Sequence, residues 1–143
     1  MICIDLNVLL YAVDEESARH AAARSWLERE LSGSRPVGFA WSVLLGFLRI
    51  ASRPGVLRRP MAASDAIVYV DEWLSLPGVT PLAPTASHWR ILRELLEAAG
   101  TAGNLTSDAH LAALAIEHGA AIASFDHDFR RFPGVRLEVP GEE

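Results

Sequence analysis

MICIDLNVLLYA, residues 1–12, is the stretch whose reading decides the fold. Ile2, Cys3 and Ile4 are apolar without alternation, as in a strand of a parallel sheet covered on both faces. Asp5 ends that run, and residues 5–12 turn helical. A buried strand followed at once by an acid and a helix is the opening of an α/β unit. An aspartate that closes a buried strand needs partners, so Asp5 is the first candidate for function.

The rest of the chain continues the alternation. PVGFA (36–40), VTPL (79–82), AAIASF (120–125) and VRLEV (135–139) have strand length, the last alternating like an edge strand. Between them lie helical patterns. Residues 15–32 read as amphipathic, with Ala18, Ala22, Trp26 and Leu27 inward, and 42–52 end at the turn Arg53-Pro54-Gly55. Ser64 reads as the N-cap of a helix over 65–75 that Pro77-Gly78 closes. Thr85 or Ser87 caps the next, which runs to 98 before Gly100, and 107–118 ends at Gly119. This pattern predicts an α/β fold with a mainly parallel sheet of about five strands. With 143 residues and no repeat or linker, it reads as one domain, 1–143.

Composition excludes several classes. No apolar run reaches the roughly 18 uncharged residues of a membrane span, and the N-terminus lacks the basic region of a secretory signal. The lone cysteine, Cys3, excludes an intramolecular disulfide framework and a multi-cysteine zinc site. A cytoplasmic protein is expected. The net charge of −5 argues against a wholly basic nucleic-acid binder. All 13 basic residues are arginine, and Arg49, Arg53, Arg58 and Arg59 cluster, as do Arg130 and Arg131. Guanidinium forks suit phosphate oxygens; the same clusters also read as solvated faces with surface ion pairs. Trp26, Trp41, Trp73 and Trp89 fall in helical patterns and read as core. There is no P-loop, GxGxxG, GxSxG or HExxH.

The acids are the informative positions. In an open parallel sheet, ligands bind beyond the carboxyl ends of the strands where strand order reverses. Asp5 follows the first strand, Asp126 follows AAIASF, Asp128 lies two residues on, and Asp108 opens the helix leading into AAIASF. Taken singly, Asp108 gains from the helix dipole whatever its function, and Asp126 and Asp128 suit a turn. If the two strands are neighbours, three or four carboxylates meet at one edge. Their repulsion raises their pKa values unless a cation intervenes, and oxygen-only ligands suit Mg²⁺ or Mn²⁺ rather than zinc.

Three segments carry a family resemblance. Residues 4–12, IDLNVLLYA, resemble the opening of PIN-domain proteins, in particular VapC-like ribonuclease toxins. Residues 104–115, NLTSDAHLAALA, are similar to the family's central acidic helix start, and 124–135, SFDHDFRRFPGV, to its C-terminal acidic segment. The three lie in family order across nearly the whole chain. The resemblance implies a three-layer α/β/α sandwich. It implies a Mg²⁺- or Mn²⁺-dependent endoribonuclease that cleaves structured RNA such as tRNA or rRNA. Also implied are a homodimer and a cognate VapB-like antitoxin whose C-terminal segment fills the active groove. Asp5, Asp108 and Asp126 match metal-ligating positions and Asp128 an accessory acidic one, with Asn7 and Thr106 or Ser107 as supporting groups.

One position departs from the family. In WSVLLGFLRI (41–50), Gly46 stands where the family usually carries glutamate. A helix-interior glycine costs about 1 kcal/mol relative to alanine, and the expectation is the emptied place of an acidic ligand rather than a packing glycine. That makes a catalytically weakened PIN module, binding RNA or antitoxin without much turnover, the alternative to a working ribonuclease. A phosphatase-like hydrolase, suggested by Asp5-Leu6-Asn7, is a weaker third reading.

Overall fold

The computed structural model describes residues 1–142; the last position of the expected domain, Glu143, lies outside the described residues. Five strands form one sheet: β1 (Ile2–Ile4), β2 (Val37–Ala40), β3 (Val79–Leu82), β4 (Ala121–Ala123) and β5 (Leu137–Glu138). Their order is β3-β2-β1-β4-β5 and every pairing is parallel. The inner strands β1, β2 and β4 are buried throughout, which explains their unbroken apolar runs. Strand order reverses at β1: the chain moves outward to β2 and β3, then returns to β4 on the other side.

Helix α1 (Leu6–Val13) packs on both α2 (His20–Ser32) and α3 (Trp41–Ala51), α3 packs on α4 (Ala63–Ser75), and α5 (His88–Ala99) packs on α6 (Thr106–Glu117). A polar relay pins the second pair. Buried Glu117 accepts from the Thr85 backbone N–H at 3.2 Å and faces His88 Nδ1 at 3.1 Å. His88 Nε2 is in turn hydrogen-bonded to His110 Nδ1 at 2.9 Å. The relay fixes α6, whose first turn holds Asp108. No helix among the described residues is long and apolar enough to cross a membrane.

Several boundaries differ from the expectation for physical reasons. Helix α2 begins at His20 rather than 15, because Asp14 Oδ1 accepts from Glu16 N and Ser17 Oγ from Arg19 N. Such local bonds offer the backbone an alternative to helix. Ala18 is consequently exposed and Ala22 only half-buried, while Ala23 takes the core place beside Trp26 and Leu27. Ser64 lies inside α4, which starts without a side-chain cap. Trp26 and Trp73 are core, but Trp41 and Trp89 are 49% and 64% exposed. Strand β4 stops at Ala123, before Ser124 and Phe125.

Gly46 is buried in α3, on the side that meets α1. A Cβ there would lie 2.9 Å from Leu6 Cδ2, inside van der Waals contact. The space expected for a missing acid is thus occupied by Leu6, the residue after Asp5, and Gly46 is a packing glycine. Gly46→Ala is expected to be close to neutral, since a helix gain of about 1 kcal/mol offsets a small shift of a flexible side-chain end. Gly46→Glu requires a larger shift of the Leu6 side chain and is expected to lose about 1–3 kcal/mol. Thermal melts of the two variants check this, and a Gly46→Glu melting temperature at or above the parent's would show that the place is open.

Candidate active site

Strands β1 and β4 run in register, Ile4 level with Ala123, so Asp5 and Ser124 leave the sheet together. The last rung is Asp5 N donating to Ala123 O at 2.9 Å. Beyond it side chains take over. Ser124, fully buried, donates its Oγ–H to Asp5 Oδ2 at 2.6 Å. It accepts from Asn7 Nδ2 at 3.1 Å and from the Asp126 backbone N–H at 3.0 Å. A hydroxyl has one proton and two lone pairs, so this one is fully used. Asn7 Oδ1 accepts from Phe125 N at 3.2 Å, tying the strand exit to α1. Asp5 Oδ1 accepts from Leu6 N at 2.7 Å and so caps α1. Asp126 Oδ1 accepts from Asp128 N at 2.8 Å and opens the 3-10 turn His127–Arg131.

Sequence reasoning named Asp5, Asp108, Asp126, Asp128 and Asn7, but gave Ser124 no role of its own. Its signal was a hydroxyl at the end of an apolar run, directly before an acid. Thr106 and Ser107, by contrast, are exposed at the start of α6.

The four acids share one electrostatic field. Burial pushes the Asp5 carboxyl up; the bonds from Ser124 and Leu6 pull it back, and the charge of Asp126 adds to the rise. Asp108, half-buried in the first turn of α6, is pushed up to about 6, first by burial and then by repulsion from Asp5, Asp126 and Asp128. No cationic side chain figures among the influences on either. Among the described residues no three His, Cys, Asp or Glu side chains converge as a ready-made ion cage. The donor set itself, all oxygen and short of positive charge, fits a hard divalent cation. Nucleophilic cysteine chemistry is not available: burial, then Asp5, pushes the Cys3 thiol up to about 12, where the thiolate is absent at neutral pH. Of the predicted phosphate-binding arginines, Arg58 is paired with Glu16 at 3.4 Å, while Arg49, Arg53 and Arg130 are exposed.

The Asp108 shift has a stability consequence. The folded chain holds that proton at about 6, against an ordinary value of 3.8, so the folded state binds it more tightly. Ionisation of Asp108 then weakens the fold as pH rises from about 4 to about 6, and the loss persists above that window. Two pKa units correspond to about 3 kcal/mol, which solvent screening of a half-exposed group reduces to about 1 kcal/mol. In EDTA-containing buffer, Asp108→Asn is expected to melt about 3 °C higher than the parent at pH 7 and at the same temperature near pH 4. Equal melting temperatures at pH 7 would show that burial and repulsion do not act on this carboxyl.

Comparison with known proteins extends these observations. The PIN domain family model matches residues 2–135. Ribonuclease VapC37 of Mycobacterium tuberculosis is 48% identical over 140 residues, covering 98% of this chain and 97% of that protein. Ribonuclease VapC33 of the same species is 43% identical over 143 residues, with 100% of both chains covered. Among solved structures, VapBC2 of Rickettsia felis, bound to a DNA fragment from its promoter, superposes with TM-score 0.72 at 21% identity, covering 97% of this chain and 98% of that one. VapC20 of Mycobacterium tuberculosis, a sarcin–ricin loop cleaving toxin, gives TM-score 0.70 at 23% identity, covering 95% and 99%. The structural likenesses carry the fold: a five-stranded parallel sheet flanked by helices. The family match and the full-length identities carry the rest: the chain belongs to the PIN-domain family, as a VapC ribonuclease toxin of the VapBC toxin–antitoxin kind.

Proposed function

We propose that the ribonuclease reaction is hydrolysis of an RNA phosphodiester at the edge where β1 and β4 end, with Asp5, Asp108 and Asp126 holding Mg²⁺ or Mn²⁺. The observation that supports this reading is the uncompensated repulsion around Asp108, which is pushed up to about 6 by burial and three neighbouring carboxylates. A divalent ion bound there neutralises charge on phosphate oxygens and eases the ionisation of water.

The chain's own residues supply orientation and proton transfer. Ser124 holds Asp5 in one rotamer through Oδ2, and Asn7 fixes the 124–125 backbone against α1. Asp126 is half-buried and Asp128 exposed, so Asp128 is the acid free to position the attacking water and take its proton. Ser124 and Asn7 act by positioning the acids.

The relatives support a partner assignment. The Rickettsia felis structure holds both toxin and antitoxin, and we assign this chain a VapB-like antitoxin whose C-terminal segment covers the acidic groove. A homodimer, a cytoplasmic setting and a structured target, tRNA or rRNA, belong to the same reading; the relative VapC20 cleaves the sarcin–ricin loop.

Purified protein is expected to cleave RNA with Mg²⁺ or Mn²⁺ and to stop in EDTA. Asp5→Asn is expected to lower the rate by on the order of a hundredfold, at unchanged far-UV circular dichroism. Cleavage by Asp5→Asn at the parent rate would place the chemistry elsewhere.

A further inference from the structure

Arg19 was not among the arginines that the sequence singled out for phosphate. It is exposed at the start of α2, yet it is held from several sides. Its backbone N–H donates to Ser17 Oγ at 3.1 Å and its carbonyl accepts from Ala23 N at 2.9 Å. The guanidinium carbon stands over two rings, 5.5 Å from the centre of Tyr11 and 5.3 Å from that of Phe125. Nη1 donates to the Tyr11 hydroxyl at 3.4 Å. The rings themselves pack edge to face, with centroids 5.3 Å apart.

Those rings connect Arg19 to the acidic edge. Phe125 lies between Ser124 and Asp126, and its backbone N–H is bound by Asn7. Tyr11 is one helical turn beyond Asn7, on the same face of α1. The Asn7–Tyr11 face therefore grips residues 124–125, and Arg19 lies across the outside of that grip. Among the described residues no carboxylate pairs with Arg19 within 4.0 Å, whereas Arg24, Arg35, Arg58, Arg90 and Arg93 all have such partners. Aromatic faces hold a guanidinium without neutralising it, and four of its five N–H donors remain uncommitted.

We infer that Arg19 is a substrate-binding residue, whose guanidinium contacts a phosphate of the RNA next to the scissile one. It answers an electrostatic difficulty of the site. A polyanion must approach four carboxylates on a chain of net charge −5. A cation restrained by the residue adjoining Asp126 draws in the backbone without entering the acidic cluster and pairing with it. The fork also suits bidentate contact with phosphate oxygens.

The inference rests on the active-site reading above, and the test separates the two. Binding of a fluorescein-labelled sarcin–ricin-loop hairpin is measured by anisotropy at a series of salt concentrations, in protein carrying Asp5→Asn to prevent cleavage. Adding Arg19→Gln is expected to weaken binding about fivefold at low salt and to lower the slope of log affinity against log salt by about 0.7–1. Arg19→Lys retains the slope while losing part of the affinity. In otherwise unmodified protein, Arg19→Gln raises KM with kcat little changed. An unchanged affinity and slope would overturn the assignment. So would a fall in affinity that tracks a lower melting temperature with the slope intact, since Arg19 then only supports the α1–α2 turn. Persistent cleavage by Asp5→Asn alone would instead refute the acidic site, and Arg19 is then judged by whether Arg19→Gln raises the KM of that cleavage or leaves it unchanged.

Discussion

The 2.6 Å hydrogen bond from Ser124 to Asp5 is the join on which the site depends. Two buried strands end side by side, and the chain must leave both without stranding polar groups in the core. One hydroxyl resolves the difficulty: it donates to the acid ending β1 and accepts from the backbone of the acid following β4. Among the described residues no buried side-chain nitrogen or oxygen lacks a partner. A network with every member satisfied fixes geometry, whereas a partly satisfied one costs more than an apolar core. The junction thus holds Asp5 and Asp126 at neighbouring positions even though their charges repel.

That repulsion sets the relation between stability and function. Opposed carboxylates weaken a folded protein, and little on the chain offsets them here. The fold compensates at a distance: a core built around Phe39, Phe47, Phe129 and Phe132, and the Arg35 fork that grips both Glu30 and Glu138. Glu138 is held below the ordinary carboxylate value, chiefly by its bond from Arg35. Its contribution is present at neutral pH and lost on acidification, opposite in sign to that of Asp108. The carboxylates around Arg35 are neutralised from within the chain, whereas no cationic side chain acts on Asp5 or Asp108.

Much of this was legible in the sequence because parallel strands are written plainly. Ile2–Ile4 and Ala121–Ala123 are uninterrupted apolar runs, and each is followed within three residues by an acid. Less legible were features that depend on who stands opposite whom. Ser124 looked like the tail of a strand until register placed it beside Asp5. Ala18 and Ala23 are both alanines at plausible helical spacing, and only the turn formed by Asp14 and Ser17 decides which is inside. Trp41 and Trp89 show the same limit, since helical spacing says which residues share a face and not whether a neighbour covers it. Arg19 was hidden for a related reason: nothing near it in sequence reveals that Phe125 lies under its guanidinium.

At Gly46 packing and charge meet. A carboxylate at 46 would add to a field already strong enough to push Asp108 up to about 6, and it would need the space that Leu6 fills. Leu6 donates its backbone N–H to Asp5 and is the first residue of α1. Seating its side chain against a bare α-carbon therefore steadies the helix start that Asp5 caps. Exchanging an acid for a glycine at this point replaces a fifth negative charge with close packing of α3 on α1. The result is an acidic edge with less repulsion, at which α1 starts against close packing.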